Sequence, residues 1–186
     1  MGAPRFKRAA YILRTCNAAM QSHGGFQWPD SGMVESPDWA PTEECGAGLH
    51  GFLNGEGDSG LCSWDDTAKW IVAEIEAGWI DLGGKVKFPR AKVVHVGDRH
   101  SASVFLASKG VKGAIVGGTA TAGDRGTATA GVGGTATAGD RGILLIRFYD
   151  QSAGRYRIIT GYIGEDGIEP NKAYKVEGGK IVEARK

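Results

Sequence analysis

An eight-residue rhythm of small and β-branched residues runs from Gly118 to Arg141. Its three units read GTATAGDR, GTATAGVG and GTATAGDR. Successive side chains of a strand point to opposite faces, so each Thr-Ala-Thr-Ala run would place threonines on one face and alanines on the other. A constant period is typical of stacked strands and favours order over a flexible Gly/Ala/Thr linker. The sequence therefore predicts a β-solenoid-like array over 110–142, with alanines inside and glycines at tight corners.

The residues after the octads alternate as short strands do. An apolar run over 143–149 indicates a buried strand, and 155–162 alternates as a half-buried strand does. Two segments joined by Gly178-Gly179 predict a hairpin over 172–184. We expect a C-terminal β-meander over 143–186 that caps the open edge of the array. The Asp124-Arg125 and Asp140-Arg141 corners are expected to stack as weak surface ion pairs.

The residues before the octads have a mixed pattern. Strands are predicted over 11–16, 85–88 and 91–96. Asp98 is a predicted N-cap for a helix over 99–109, and Ser63 is a candidate N-cap for a helical turn that enters a strand. The predicted fold class is therefore α+β. Its three parts are a mixed N-terminal domain over 1–109, the octad array over 110–142 and the meander cap over 143–186.

Charge is distributed in blocks, although the net charge is only +1. Residues 30–81 hold 12 acids and one base, and all five tryptophans lie between 28 and 79. Acids beside aromatic residues suit a surface that recognises a basic partner protein, while solvated loops around a tryptophan core are the alternative. The candidate partner-binding residues are Trp39, Glu43, Glu44, Glu56, Asp58, Asp65 and Asp66.

Cysteine usage and hydropathy bear on the compartment. No stretch approaches the roughly 18 apolar residues of a membrane span, and the basic start is not followed by the apolar segment of a secretory signal. The odd count of Cys16, Cys45 and Cys62 favours free thiols in a reducing interior. Cys45, His50 and Cys62 lack the paired spacing of a zinc site, so no metal is expected. These features predict a cytoplasmic protein without membrane contact.

Two blocks carry a resemblance to a known group. The fragments LRTC, HGGFQWP and CGAGLHG, followed by GTATAG octads, resemble uncharacterised proteins of phages and prophages. That resemblance implies a mobile element in a bacterial host and no assigned reaction. The octads also resemble ice-nucleation repeats, which present Thr-x-Thr on a flat face. This second likeness covers about 25 residues, and three units are few for the wide threonine lattice that ice recognition needs.

One arrangement is similar to enzymes that split NAD to transfer ADP-ribose. Such enzymes often hold the dinucleotide with an early Arg or His and stabilise the reacting ribose with a Glu. Arg14, His50, Glu74 and Glu76 are the candidate catalytic residues on this interpretation, with both carboxylates on one strand face. The alternative is that Glu-x-Glu is a solvent-facing part of an amphipathic strand, which is the more common case.

Taken together, these patterns favour a non-enzymatic interaction protein of a phage or mobile element. The expected role is an inhibitor of a host defence complex, in the manner of an anti-CRISPR protein, that uses the 30–81 region. We expect the partner to be a host protein with a basic surface, and we expect neither nucleic acid nor a cofactor to bind. The array could in addition form a homodimer. The alternatives are an ADP-ribosyltransferase-like enzyme that uses NAD and a structural repeat protein that serves assembly.

Overall fold

Fourteen β-strands and one α-helix form the regular structure of residues 6–184, which are the residues that this computed structural model describes. Single 3₁₀ turns at His23–Gly25 and Ser59–Leu61 add to them. Residues 1–5 lie outside the described range. The expectation of no secretory signal rests partly on them. The chain divides into two units, Met1–Val111 and Lys112–Lys186.

Unit 1 is built on one antiparallel sheet of seven strands in the order β2-β7-β4-β1-β3-β6-β5. Its elements are β1 Ala10–Cys16, β2 Gly32–Glu35, β3 Leu49–Leu53, β4 Lys69–Ile75, β5 Ile80–Asp81, β6 Val86–Phe88, β7 Arg90–Gly97 and α1 Arg99–Ser108. Strands β1 and β4 lie at the centre and are almost wholly apolar, as strands covered on both faces are.

One face of this sheet carries the larger core. Ile12 and Ile71 are fully buried there, and Trp28 reaches the same core from the long connection between β1 and β2. Because side chains alternate along a strand, Arg14 of β1 points to the same face as Ile12 and Cys16. A cationic side chain is thereby placed beside the core.

Helix α1 packs on β4 and β7. The prediction of Asp98 as its N-cap is confirmed, since Asp98 Oδ1 accepts a hydrogen bond from Ser101 N at 2.7 Å. Leu106 is fully buried, whereas Val104 on the same helix is half exposed. Within residues 6–184 no helix combines the length and the apolar character that crossing a bilayer requires.

The helical turn predicted after Ser63 is wrong. Asp65 Oδ1 accepts hydrogen bonds from both the backbone N and the hydroxyl of Thr67, and Ala68 N donates to Asp65 O. These bonds close a tight turn instead of a helix, because an aspartate side chain competes well for nearby backbone donors. Strand β4 begins directly afterwards, at Lys69.

Unit 2 has two sheets with strand orders β14-β13-β10-β8 and β12-β11-β9. Its strands are β8 Thr119–Ala122, β9 Thr127–Ala130, β10 Thr135–Ala138, β11 Ile143–Asp150, β12 Arg155–Tyr162, β13 Ala173–Glu177 and β14 Lys180–Glu183. Buried side chains of both sheets, among them Ala136 and Leu144, form one core.

Successive octads enter different sheets, so the structural period is two octads. Strand β8 pairs in parallel with β10, Thr119 opposite Thr135, and β9 pairs in parallel with β11, Thr127 opposite Ile143. At each glycine corner the chain passes from one sheet to the other. The corners before β8 and β10 are joined by a hydrogen bond from Thr135 N to Gly118 O at 3.0 Å. An octad is therefore hydrogen bonded to the second octad along the chain rather than to its neighbour.

This arrangement corrects the predicted fold class. The protein is mostly β rather than α+β, and across residues 6–184 its strands form neither a solenoid nor a closed barrel. The expected C-terminal meander is not a cap, because β11–β12 joins one sheet and β13–β14 joins the other. Each hairpin extends a sheet that contains octad strands. Its backbone N–H and C=O groups pair with those at the edge of an octad strand, which would otherwise lack partners.

The expected orientation of the octad side chains is confirmed. Ala128, Ala130, Ala136 and Ala138 are at most 2% exposed, and the threonines of the same strands lie on the outer faces. The corners stack through hydrogen bonds to backbone groups, and among the described residues no ion pair joins one corner to the other. Asp124 Oδ1 accepts from Asp140 N at 2.9 Å, and the ion pair at these corners joins the neighbours Asp140 and Arg141.

Enlarging an inward alanine should destabilise unit 2. Ala136 is fully buried between the two sheets, so Ala136→Leu forces three extra carbon atoms into a packed space and should cost about 1–3 kcal/mol. Urea unfolding of the full chain measures this change. The matched control Thr121→Leu, on an outer face, should stay within about 0.5 kcal/mol. Equal effects of both substitutions would contradict the facing alanine layers.

Candidate functional site

A cavity of about 620 Å³ opens in unit 1 beside β1 and β3. The connection between β2 and β3 supplies one wall, which includes Asp38 and Cys45. Arg14 and His50, two of the four predicted catalytic residues, line it together with Lys85. We call this space the unit 1 pocket.

Arg14 is held firmly in the unit 1 pocket. Its Nη1 donates a hydrogen bond to the carbonyl oxygen of His50 at 3.0 Å. Its guanidinium carbon lies 4.6 Å from the centre of the Trp28 ring, which is the geometry of a cation–π contact. The stacked ring and the carbonyl together fix the plane of the guanidinium group.

His50 is kept neutral by its surroundings. Burial, which is the largest cause, and the positive charges of Lys85, Arg14 and Lys87 together lower the pKa of His50 to about 4. Its buried Nε2 has no hydrogen-bond partner among the described residues. At neutral pH the ring is therefore an uncharged group with one unsatisfied nitrogen.

Lys87 anchors the wall of the pocket from behind. It lies on β6 opposite His50 and is fully buried. Its Nζ donates to the carbonyl oxygen of Glu44 at 2.8 Å and to Thr42 Oγ1 at 3.3 Å. A Cβ at Gly48 would lie 2.7 Å from Lys87 Cγ, so glycine is needed where this connection passes over the lysine stem. Lys87 thus joins the wall to the sheet, because its backbone belongs to β6, its stem contacts Gly48 and its Nζ is bonded to Thr42 and Glu44.

Cys45 is an activated thiol at the rim. Lys85 Nζ lies 3.0 Å from Cys45 Sγ, and this hydrogen bond is the largest of the effects that lower the Cys45 pKa. Burial raises the pKa of the other two thiols, Cys16 and Cys62, the latter to about 12. All three cysteines are free.

The two carboxylates of the NAD interpretation do not line the unit 1 pocket. Glu76 follows the end of β4 and forms an ion pair with Arg90 at 2.5 Å. A hydrogen bond from Lys7 N and the contact with Arg90 lower the Glu76 pKa. Glu74 is a half-buried residue of β4. The structure therefore brings together Arg14 and His50 but not the four-residue set.

The acidic residues predicted to bind a partner lie in two connections, between β2 and β3 and between β3 and β4. Asp58 Oδ1 accepts from Gly60 N and caps a 3₁₀ turn. Trp39 lies with its ring centre 5.8 Å from Lys87 Nζ. Asp65 and Asp66 line a second hollow of about 270 Å³. The side chains in the remaining positions are exposed: Glu43, Glu44 and Glu56.

A second candidate surface lies on unit 2. The outward threonines of β8 and β10 form two in-register rows on one sheet, and we call these four residues, Thr119, Thr121, Thr135 and Thr137, the threonine face. The hydroxyl of Thr135 donates to Thr119 Oγ1 at 3.3 Å. The sequence predicted the outward threonines and the stacking of corners two octads apart, but it did not predict that the octad between them belongs to another sheet.

Comparison with known families decides the membership of unit 1. The model of a family described as "Domain of unknown function (DUF7666)" matches residues 10–107, which is more than half of the chain. The chain belongs to the DUF7666 family. The matched part of this DUF7666 protein contains Arg14, Cys45, His50, Lys85 and Lys87, and so includes the polar groups of the unit 1 pocket.

The DUF7666 chain is also similar to ice nucleation proteins. One from Pseudomonas syringae is 48% identical over 103 residues, which are 54% of this chain and 9% of that protein. Ice nucleation protein InaU of Pantoea ananas is 44% identical over 98 residues, 51% of this chain and 10% of that protein. The chain thus spans about a tenth of the length of these curated relatives. No solved structure matches it significantly.

These findings correct the expected identity. The resemblance to phage and prophage proteins is wrong, and with it the expected role as an anti-defence inhibitor, because the relatives are named ice nucleation proteins. The NAD-enzyme and assembly alternatives conflict with the same relatives. The likeness to ice-nucleation proteins extends over about 100 residues, rather than the 25 residues expected from the octads.

Cys45 should be the most reactive thiol of the chain. Because Lys85 lowers the pKa of Cys45 while burial raises the pKa of Cys16 and Cys62, iodoacetamide at pH 7 should label Cys45 first. Peptide mass spectrometry at timed intervals measures the order. Lys85→Met should slow labelling of Cys45, whereas Lys69→Met should not. If Cys62 is labelled first, the contact by which Lys85 lowers the pKa of Cys45 is contradicted.

His50 should titrate far below an ordinary histidine. Its ring should protonate near pH 4, and Lys85→Met should raise this pKa because one repelling positive charge is removed. The carbon and nitrogen chemical shifts of the ring, followed by NMR against pH, measure both values. A midpoint near the ordinary value of about 6.5 would contradict the buried position.

Proposed function

We propose that the chain binds ice through the threonine face. The observation that carries this proposal is the pairing of two Thr-Ala-Thr-Ala strands in parallel and in register, which places Thr119 beside Thr135 and Thr121 beside Thr137. The similarity to proteins named for ice nucleation supports the same conclusion.

The spacing of the threonine face is regular in two directions. Neighbouring strands in a sheet lie about 4.8 Å apart, and alternate residues of a strand lie about 6.6 Å apart. Each threonine therefore repeats on a rectangular grid of hydroxyl and methyl groups. Such a grid can hold water at fixed positions, because the hydroxyls donate and accept hydrogen bonds. The methyl groups between them form no hydrogen bonds, so water is bound only at the hydroxyls.

The threonine face is also rigid. Behind it lie the buried alanines of the same strands, and threonine itself is restricted at χ1 because it is β-branched. Charged residues of the octads stand at the corners, at Asp124, Arg125, Asp140 and Arg141, and not within the rows. Water on the four threonines therefore meets fixed and uncharged side chains, although Lys175 of the neighbouring β13 lies beside Thr135.

The size of the face defines which activity is expected. Two strands with two threonines each contact few water molecules, whereas the named relatives are about ten times longer than the part matched here. A small grid can adsorb to ice that already exists, but it holds too few waters to start a crystal. We therefore propose ice binding, and not efficient nucleation, for the residues in this chain.

Partition into a slowly growing ice front tests the proposal. The full chain should be enriched in the ice fraction, and Thr121→Lys should abolish the enrichment because a long hydrated cation interrupts the grid on an exposed strand. The matched control is Thr160→Lys, an exposed threonine of β12 in the other sheet, which should leave the enrichment unchanged.

Circular dichroism of each variant confirms that the fold is retained. Exclusion of the unsubstituted chain from ice would overturn the proposal. Full enrichment of Thr121→Lys would overturn the role of the threonine face.

A further inference from the structure

We propose that the unit 1 pocket binds a small organic anion with an apolar body and a carboxylate or phosphate head. This inference is independent of ice binding, because it concerns different residues in the other unit. It rests on the charges, the unsatisfied nitrogen and the shape of the pocket described above.

Arg14 and Lys85 in the lining, and Lys87 behind it, have no carboxylate partner among the described residues. Within residues 6–184 no carboxylate lies within 4.0 Å of a side-chain nitrogen of Arg14, Lys85 or Lys87, although six such ion pairs occur elsewhere. The acid in the pocket lining is Asp38, whose Oδ1 accepts from Ser36 Oγ at 2.7 Å. Cations removed from water are costly unless they are paired, so an anionic ligand would stabilise this arrangement.

Arg14 is arranged to receive the head of such a ligand. A guanidinium group presents five donors in a planar fork that matches a carboxylate or phosphate. The fork is already oriented by Trp28 and by the carbonyl of His50, so little side-chain freedom is lost on binding. Lys85 brings a second positive charge to the rim beside Cys45.

His50 adds a neutral polar group to the same lining. Its buried Nε2 lacks a partner among the described residues, and a buried polar atom of this kind costs free energy until it is satisfied. A polar atom of a ligand within reach of Nε2 would satisfy this nitrogen. Burial, and after it the positive charges of Lys85, Arg14 and Lys87, lower the pKa of His50.

The remaining walls determine the body of the ligand. Phe26 and Leu61 are apolar lining residues with exposed side-chain surface, and the buried residues Leu13, Leu49 and Phe52 lie behind the lining. A volume of about 620 Å³ falls within the range typical of sites for small molecules and exceeds what an inorganic anion fills. Because Lys87 ties the wall to the sheet, the pocket is preformed.

An NMR titration of the full chain tests this inference. Phenyl phosphate and benzoate are the probes, and benzyl alcohol is the neutral control of similar size. Both anions should produce saturable shifts of the amide signals over 45–51 and of the Arg14 side chain, and benzyl alcohol should bind at least about tenfold more weakly. The tighter of the two anions shows whether the site prefers a phosphate or a carboxylate.

Two variants locate the effect. Arg14→Lys keeps the charge but removes the fork, and Lys85→Met removes the rim charge; each should weaken binding about tenfold. Lys69→Met, an exposed lysine at the start of β4, should leave binding unchanged. If Arg14→Lys does not fold, Lys85→Met decides the outcome, because its side chain lies at the rim and outside the core.

Three results would overturn the proposal. They are no saturable shift at about 10 mM of either anion, equal binding of benzyl alcohol, and unchanged affinity of the Lys85→Met variant.

Discussion

The contact between alanine methyl groups across two sheets is the constraint on which unit 2 depends. Ala136 and Ala138 are fully buried, and Ala128 and Ala130 are nearly so. Alanine is the smallest residue with a side chain, so the octad strands of the two sheets can lie close together without a cavity between them. The alanine layers meet larger side chains, among them Leu144 and Ile146, in the same core.

The close approach of the sheets also explains the glycines at the corners. A Cβ at Gly134 would lie 2.3 Å from the carbonyl oxygen of Gly118, and one at Gly139 would lie 2.2 Å from Asp124 Oδ1. Both glycines meet the corner that lies two octads earlier. The regular glycines in the sequence are therefore a consequence of stacking and not of chain flexibility.

Local features of the fold could be predicted from the sequence, and pairings over long distances could not. The alternation of Ala and Thr, the Asp98 cap and the strand from Ile143 follow from residues close in sequence. The Asp-Arg corners of the first and third octads indicated that these two octads stack, but the division of the octads between two sheets could not be predicted, because all three carry the same Thr-Ala-Thr-Ala run. The sheet assignment of the last two hairpins depends on that same choice.

The candidate site shows the same limit. Arg14 and His50 were predicted together as candidate catalytic residues, but Lys85 meets Cys45 across 40 positions of sequence, and Lys87 reaches Glu44 across 43. Glu76 looked catalytic because a nearby Glu suggested a pair, whereas its partner is Arg90 of β7. Burial and partner identity separate these cases, and neither can be determined from residue type alone.

The alternation between sheets makes the parity of the octad number important. Insertion of a single octad between β8 and β10 would move every earlier strand into the opposite sheet and separate Thr119 from Thr135. Insertion of two octads would add one strand to each sheet and leave every existing pairing intact. Even numbers of added octads are therefore expected to preserve the pairing, so the structural repeat is twice the unit visible in the sequence.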